Sequence, residues 1–138
     1  MISRIVNIMT GMLVLFIFAT AHGDVEREIS VALTVPDPSW TISIEEVWQV
    51  GDELWVLAAV MRDPEVMAAQ VISTVQVSIK TAAPDLPMKY FITGKTWSWD
   101  NEEQFTFLKD REKLEEALGS GRLIYRAKKP AGVSPPKQ

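Results

Sequence analysis

The sequence predicts a mainly β fold, an antiparallel β-sandwich of about six to eight strands with one short α-helix before the last strand. Three observations lead to this prediction. Apolar and polar residues alternate with a period of two along several segments, which is typical of strands that bury one face. Glycine, proline and aspartate separate these segments, as turns between strands require. One segment near the C-terminus has the apolar spacing of an amphipathic helix.

The alternation predicts strands at residues 28–35, 40–50, 53–61, 72–80, 88–97, 104–108 and 121–127. The first strand ends at Pro36, because proline lacks the amide that a strand ladder needs. The segment after the third strand, residues 62–70, is predicted to be a connection with a helical turn after Pro64. A proline-rich loop, residues 81–87, precedes the fifth strand.

The second and third strands are predicted to form a long hairpin. Gly51 and Asp52 suit a two-residue turn, since glycine supplies the positive φ that the first position of a type II′ turn requires. This turn sets Trp48 opposite Trp55. With an unbroken register, one face of the hairpin is apolar and is predicted to lie in the core: Trp40, Ile42, Ile44, Trp48, Val50, Trp55, Leu57, Ala59 and Met61.

The opposite face of this hairpin differs between its two strands. It is polar on the first strand and apolar on the second, so the second strand is predicted to be buried on both sides. The first strand, Trp40–Val50, is predicted to be an edge strand that is able to self-associate through its unpaired backbone. A bulge at Glu45 and Glu46 would shift the far end of this register.

The predicted helix covers residues 110–118, DREKLEEAL. Asp110 suits the cap at its start, and Gly119 follows as a stop signal. A stripe of three apolar residues marks the face that is expected to pack against the strands: Leu114, Ala117 and Leu118.

Residues 1–23 have the order of a secretory signal peptide. A positive charge at Arg4 precedes an apolar run at residues 11–19, and the small-residue sequence at residues 19–21 suits cleavage. A retained anchor helix is the alternative, but polar residues interrupt the apolar stretch, which is shorter than the roughly 20 residues that span a bilayer. The predicted location is periplasmic or secreted, without membrane attachment after cleavage.

The remaining chain predicts one domain, residues 24–127, followed by a disordered, basic and proline-rich tail at residues 128–138. The chain has no cysteine, so the domain is expected to rely on packing rather than on disulfides. Its net charge of −4 argues against nucleic acid as a partner, because that binding needs a basic surface.

The scarcity of histidine excludes several chemistries. The only histidine, His22, lies in the predicted cleavage region. A mature domain without histidine and cysteine has no Ser-His-Asp or Cys-His catalytic set, and no zinc site built from these ligands. Only carboxylate, lysine, tyrosine, serine or oxygen-ligated metal chemistry remains, and we expect no enzyme activity, no cofactor and no metal.

The segment GKTWSWDNEEQFTF, residues 94–107, is the candidate site. Two tryptophans alternate with polar residues beside an acidic run, so their indole rings are predicted either to fill the core or to form a ligand platform. The candidate ligand-binding residues are Trp97, Trp99, Asp100 and Glu102. The acidic run lacks the spacing of a calcium-binding loop. A pair of its carboxylates would be needed for glycoside hydrolysis.

The segment GRLIYRAKKP, residues 121–130, resembles the final strand of the chagasin-like cysteine-protease inhibitors, which are small, secreted, immunoglobulin-like sandwiches. The proline-threonine-threonine-glycine loop of that family is absent, and no tryptophan follows Pro130. The resemblance therefore implies an immunoglobulin-like architecture, and no inhibitory residues are carried over from it.

These observations together predict a non-catalytic binding module whose ligand is a protein or a glycan. A carboxylate-dependent glycan hydrolase is one alternative, and it requires an essential acid near Glu102. A structural subunit of a cell-envelope assembly is the other, and it requires self-association or a partner at an edge strand.

Overall fold

A computed structural model of the protein describes residues 23–128. The predicted signal peptide, apart from its last residue, lies outside the described residues. The predicted tail, apart from its first residue, lies outside them as well. Both therefore stay predictions. Among helices within the described range, none has the length and apolar character that crossing a bilayer demands.

The described residues form a mainly β fold with one short helix before the last strand, as predicted. The elements are β1 (Val25–Val35), β2 (Trp40–Val50), β3 (Glu53–Arg62), β4 (Ser73–Ala83), β5 (Met88–Thr93), β6 (Thr106–Leu108), α1 (Glu112–Gly119) and β7 (Arg122–Arg126). Residues 64–65 form a turn, but the predicted helical turn after Pro64 is not formed. The Asp110 carboxylate accepts a hydrogen bond from the amide of Glu112, 2.9 Å away, at the start of α1.

The strands are divided between two sheets. One contains only β1 and β4, and the other has the order β6-β5-β3-β2-β7. Antiparallel pairing holds for β1–β4, β2–β3 and β2–β7, whereas β3–β5 and β5–β6 are parallel. The β3–β5 pair is parallel because the chain leaves the larger sheet after β3, forms β4 in the smaller sheet, and returns in the direction of β3, whereas the loop after β5 brings β6 back parallel to β5.

The prediction that β2 is an edge strand is wrong for residues 46–49 but holds for residues 40–44, which pair only with β3 among the described strands. β2 pairs with β3 on one side and with β7 on the other, where Glu46 to Gln49 are covered by the last strand. The prediction that β3 is buried on both sides is confirmed, because Leu54 to Val60 is almost entirely enclosed apart from Trp55. The edge strands among the described residues are β1 and β4 in the small sheet, and β6 and β7 in the large one, where residues 40–44 of β2 also extend past β7.

The register near the hairpin turn is confirmed, and Trp48 lies opposite Trp55. Gly51 has a φ of 57°, and no non-glycine residue in the described range has positive φ, as a type II′ turn at Gly51 and Asp52 requires. A bulge at Glu45 shifts the far end, so the predicted single apolar face is wrong. Trp40, Ile42 and Ile44 lie on one side of the sheet, and Trp48 and Trp55 lie on the other.

Two apolar clusters result, one on each side of the large sheet. The larger cluster lies between the sheets, where fully buried residues of β1 such as Ile29 and Leu33 pack with β2, β3 and β5. The smaller cluster lies under α1, where Leu114 and Leu118 pack near Trp48 and Trp55. The apolar stripe predicted for the helix is therefore confirmed, with Ala117 half-buried beside it.

Glu46 is a buried charge beside this bulge, with only 4% of its surface exposed. Its carboxylate lies 2.6 Å from Nη1 of Arg111, just before α1, and 2.9 Å from Nη2 of Arg126, at the end of β7. A buried carboxylate needs such partners, because an isolated charge is strongly unfavourable in the interior. One side chain thus ties the helix and the last strand to β2.

Candidate functional site

The candidate segment begins where Gly94 ends β5. Its φ of 94° lies in the region that favours glycine. A Cβ atom at this position would overlap the carbonyl oxygen of Val60 on β3. The predicted strand at residues 88–97 is therefore shorter, since β5 ends at Thr93 and the chain turns away into an irregular loop up to β6. This loop carries the candidate residues to the end of the fold where β1 ends.

Trp97 is half-buried and contacts the cluster between the sheets. Its ring meets that of Trp40 edge-to-face, with ring centroids 5.1 Å apart. Its indole Nε1 donates a hydrogen bond to Oδ1 of Asn101 at 2.9 Å, so the polar edge of the ring is satisfied. Trp97 thus closes one end of the core and holds the start of the acidic loop.

Trp99 is more exposed, with 36% of its surface accessible. Its ring centroid lies 5.5 Å from that of Trp97, with 35° between the ring planes. The anchored Trp97 therefore supports one side of Trp99 while the rest of the exposed indole faces solvent. The sequence predicted that the two tryptophans either fill the core or form a surface platform. Trp97 packs against the core, and Trp99 lies at the surface.

A cleft of about 560 Å³ gathers three of the four predicted residues. Trp99, Asp100 and Glu102 line it, and Trp97 lies behind it rather than on its wall. Sequence reasoning missed three further lining residues: Thr34, Ile72 and Glu103. They come from the end of β1, from the segment before β4, and from the acidic loop itself. Only the last was adjacent in sequence to a predicted residue, so the others required knowledge of the topology.

Glu103 is the most strongly held of the acidic residues in the cleft. Its Oε1 accepts hydrogen bonds from the amide and the hydroxyl of Thr34, both at 2.7 Å. Its Oε2 accepts one from the Asn101 side chain at 3.1 Å, and that amide also donates to the Thr34 carbonyl at 2.8 Å. The side chains of Asn101 and Glu103 thus form hydrogen bonds with the backbone carbonyl and amide of Thr34, and these bonds hold the loop against β1.

These hydrogen bonds favour the ionised form of the Glu103 carboxyl group. Partial burial raises the pKa of its carboxyl, but the hydrogen bonds from Thr34 and Asn101 together lower it more, so the net pKa lies below the ordinary value. Glu103 is therefore ionised at neutral pH. A general acid for glycoside hydrolysis needs the opposite change, a raised pKa.

An exposed apolar segment adjoins the cleft. Between β3 and β4, the side chain of Met67 is fully exposed, and that of Ile72 is 67% exposed while lining the cleft wall. Val66 and Val71 are exposed in the same segment. Apolar side chains of this size in one loop beside an exposed tryptophan are typical of a contact surface.

Residues 23–128 contain no group of three or more His, Cys, Asp or Glu residues placed to hold a metal ion. The side chains of Trp99 and Ile72 and the carboxylates of Asp100 and Glu102 give the cleft apolar surface and carboxylate oxygens as its recognition chemistry. The immunoglobulin-like architecture implied by residues 121–130 stays a prediction, since the two sheets alone do not specify it. Comparison of the chain with models of protein families, with curated proteins and with solved structures found no match.

Proposed function

We propose that the protein is a secreted or periplasmic, non-catalytic binding module whose ligand is a protein. One observation carries the proposal: an exposed tryptophan and an exposed isoleucine, Trp99 and Ile72, line the same cleft as the carboxylates of Asp100 and Glu102. The proposed location is supported by the signal-peptide pattern of residues 1–23.

The chemistry of the cleft favours a protein segment with both apolar and basic side chains. Trp99 offers a rigid aromatic contact, and aromatic anchors contribute most of the energy in many interfaces. Asp100 and Glu102 are exposed and offer acceptors to lysine or arginine. The loop between β3 and β4 that supplies Ile72 to the cleft also exposes Met67, and a protein ligand is large enough to contact both.

A glycan is the second candidate ligand. The exposed indole of Trp99 suits stacking on a sugar ring, and the neighbouring carboxylates suit hydrogen bonds from hydroxyl groups. A glycan gains little from contact with exposed aliphatic side chains, because its surface is largely polar. The exposure of Ile72 and Met67 therefore favours the protein ligand.

Binding without turnover is the better reading of the acidic residues. Hydrolysis of a glycosidic bond needs one carboxyl group that stays protonated near neutral pH. The most buried carboxyl group of the cleft, Glu103, has a lowered pKa and is committed to the backbone and hydroxyl of Thr34. It supports the loop rather than supplying a proton.

The test uses protein purified from cells that express the full chain. Arrays of basic-apolar peptides and of glycans are screened, and hits are titrated by the intrinsic fluorescence of tryptophan. We expect Trp99→Ala and Glu102→Gln each to weaken binding of a hit peptide by about tenfold or more. Leu123→Ala is the matched control, because Leu123 is about as exposed as Trp99 but lies on β7, outside the cleft.

Glycan hits with no peptide hits would replace the protein ligand with the second candidate. Hits whose affinity is the same for wild type, Trp99→Ala and Glu102→Gln would show that the cleft is not the binding site. Chemical turnover of a bound glycan that disappears in Glu102→Gln would overturn the non-catalytic assignment.

A further inference from the structure

We propose that two copies of this chain associate through β4, by antiparallel pairing of its free edge, which pairs with no strand among residues 23–128, with the same edge of the second copy. The two β1–β4 sheets would then form one continuous four-stranded sheet. This interface lies on a strand that contributes no residue to the cleft, so it goes beyond the proposed binding function.

The free backbone groups of β4 follow from the contacts of β1. The amide of Thr34 donates to Glu103, and its carbonyl accepts from Asn101, so both groups point away from β4. Thr34 and Thr74 therefore form a non-hydrogen-bonded pair, and such pairs alternate along an antiparallel ladder. The ladder has no irregularity over its eleven residues. The backbone groups that β4 directs to its free edge thus belong to Thr74, Gln76, Ser78, Lys80 and Ala82.

The core-facing side chains of β4 are incompletely covered. On β1, Ile29, Val31 and Leu33 are almost entirely buried. Their partners across the ladder face the same core but are only half-buried: Ile79, Val77 and Val75. Because the β4 side chains are more exposed than their β1 partners, the small sheet is left uncovered at the free edge of β4. A further strand at this edge would cover the three aliphatic side chains.

Each of the other edge strands is shorter than β4 or carries more charge. β6 has three residues and β7 has five, so neither offers a long template. β1 has Glu26 and Glu28 exposed along its length, and its Thr34 backbone groups are occupied. β4 is eleven residues long, with no proline and no bulge. Its one charge, Lys80, already faces Glu28 across the ladder.

The sequence of β4 is complementary to itself when it is reversed about Val77. In that register Val75 faces Ile79 of the second copy, Gln76 faces Ser78, and Thr74 faces Lys80. The aliphatic row is continuous across the two-fold axis, and no like charges are opposed. A register centred on Lys80 would instead bring the two lysines together, which is unfavourable.

A single cysteine tests the register directly, because the chain has no cysteine of its own. Val77 would lie opposite its copy in a non-hydrogen-bonded pair, with Cα atoms about 4.5 Å apart, within the range of about 4.4–6.8 Å that a disulfide spans. We expect Val77→Cys, in the full chain purified from cells, to form a disulfide-linked dimer under mild oxidation. Ala32→Cys is the matched control. Ala32 lies on β1, opposite Gln76 and away from the proposed interface, so we expect this variant to stay largely monomeric.

A charge exchange provides a second test on exposed positions that do not affect the core. In the double variant Gln76→Lys/Ser78→Lys, each new lysine faces a lysine of the second copy across the two-fold axis. We therefore expect sedimentation to show a monomer. Gln76→Lys/Ser78→Glu pairs opposite charges, and the dimer should persist. Circular dichroism of each variant checks that the fold is kept. For the wild type we expect a dissociation constant in the micromolar range, because a single strand pairing buries less area than a standard interface.

A wild type that stays monomeric up to high micromolar concentration overturns the proposal and leaves this edge to a different partner. Equal crosslinking of Val77→Cys and Ala32→Cys, or loss of the dimer in both charge variants, overturns the pairing about Val77. Dimer formation in both charge variants places any association away from β4.

Discussion

At the scale of single residues, two tryptophans separated by one residue have different environments. Trp97 is hydrogen-bonded to Asn101, packed on Trp40 and half-buried, whereas Trp99 rests against Trp97 and lines the cleft. Both tryptophans have the same place in the alternating pattern. Alternation alone does not tell which residue of a loop turns back to the core, so the sequence could not distinguish them.

This difference predicts unequal effects on stability. Trp97→Ala removes a ring from the end of the core and leaves Asn101 without its donor, so we expect a loss of about 2–4 kcal/mol in the free energy of unfolding. Trp99→Ala removes an exposed ring and should cost within about 1 kcal/mol. Urea unfolding of both variants measures the two values. Equal losses would mean that Trp99 is also part of the core and would weaken the case for the cleft.

Glu103 predicts a stability that depends on pH. Its folded pKa is lowered, so the ionised carboxylate favours the folded state. This contribution is present above the unfolded pKa, about 4.3, and is lost as the pH falls through the folded pKa. Glu103→Gln is expected to cost about 1–3 kcal/mol at neutral pH, the scale of hydrogen bonds to a charged group. The difference from wild type should shrink in acid.

Urea unfolding at several pH values from neutral to strongly acidic measures this difference. Glu102→Gln is the control, because Glu102 is exposed and should stay within about 0.5 kcal/mol of wild type. A cost of Glu103→Gln that is constant across pH would contradict the role assigned to its charge.

At the scale of elements, the hairpin and the helix were predictable because their signals are local. Glycine with positive φ fixes the turn at Gly51, and the turn fixes the neighbouring register. The bulge at Glu45, which the sequence left as an alternative, reverses the faces of the far half, and the residues that pair with the neighbouring Glu46 are distant in sequence. Arg111 and Arg126 neutralise Glu46 in its buried position, and no local pattern indicates them.

The end of β5 predicts a specific effect of one glycine. Gly94→Ala places a methyl group against the Val60 carbonyl at a φ that alanine disfavours, so we expect a loss of about 2–5 kcal/mol in stability. Gly119→Ala is the matched control, because Gly119 has open space and no positive φ, and it should be neutral or slightly stabilising. Thermal unfolding compares the two. Similar melting temperatures would show that the loop accommodates a side chain at Gly94.

At the scale of the whole molecule, the strand order was not predictable from the sequence. Alternation shows that a segment is a strand, but not which strand lies beside it. The large sheet places the C-terminal β7 next to β2 and makes β5 parallel to β3. The same topology assembles the cleft from the end of β1, from Ile72 and from the loop after β5, so only its contiguous part, Trp99 to Glu102, could be predicted.

The double ion pair of Glu46 has a consequence for the order in which the molecule is assembled. As the chain folds, the β2–β3 hairpin, whose contacts are local, is expected to form before Arg111 and Arg126, which are distant from it in sequence, reach Glu46. Until then the carboxylate of Glu46 has no cation and favours a hydrated surface on this part of the nascent hairpin. Once Arg111 and Arg126 pair with Glu46, its carboxylate no longer needs water. The C-terminal part of the chain therefore buries a surface of the hairpin that stays hydrated until then.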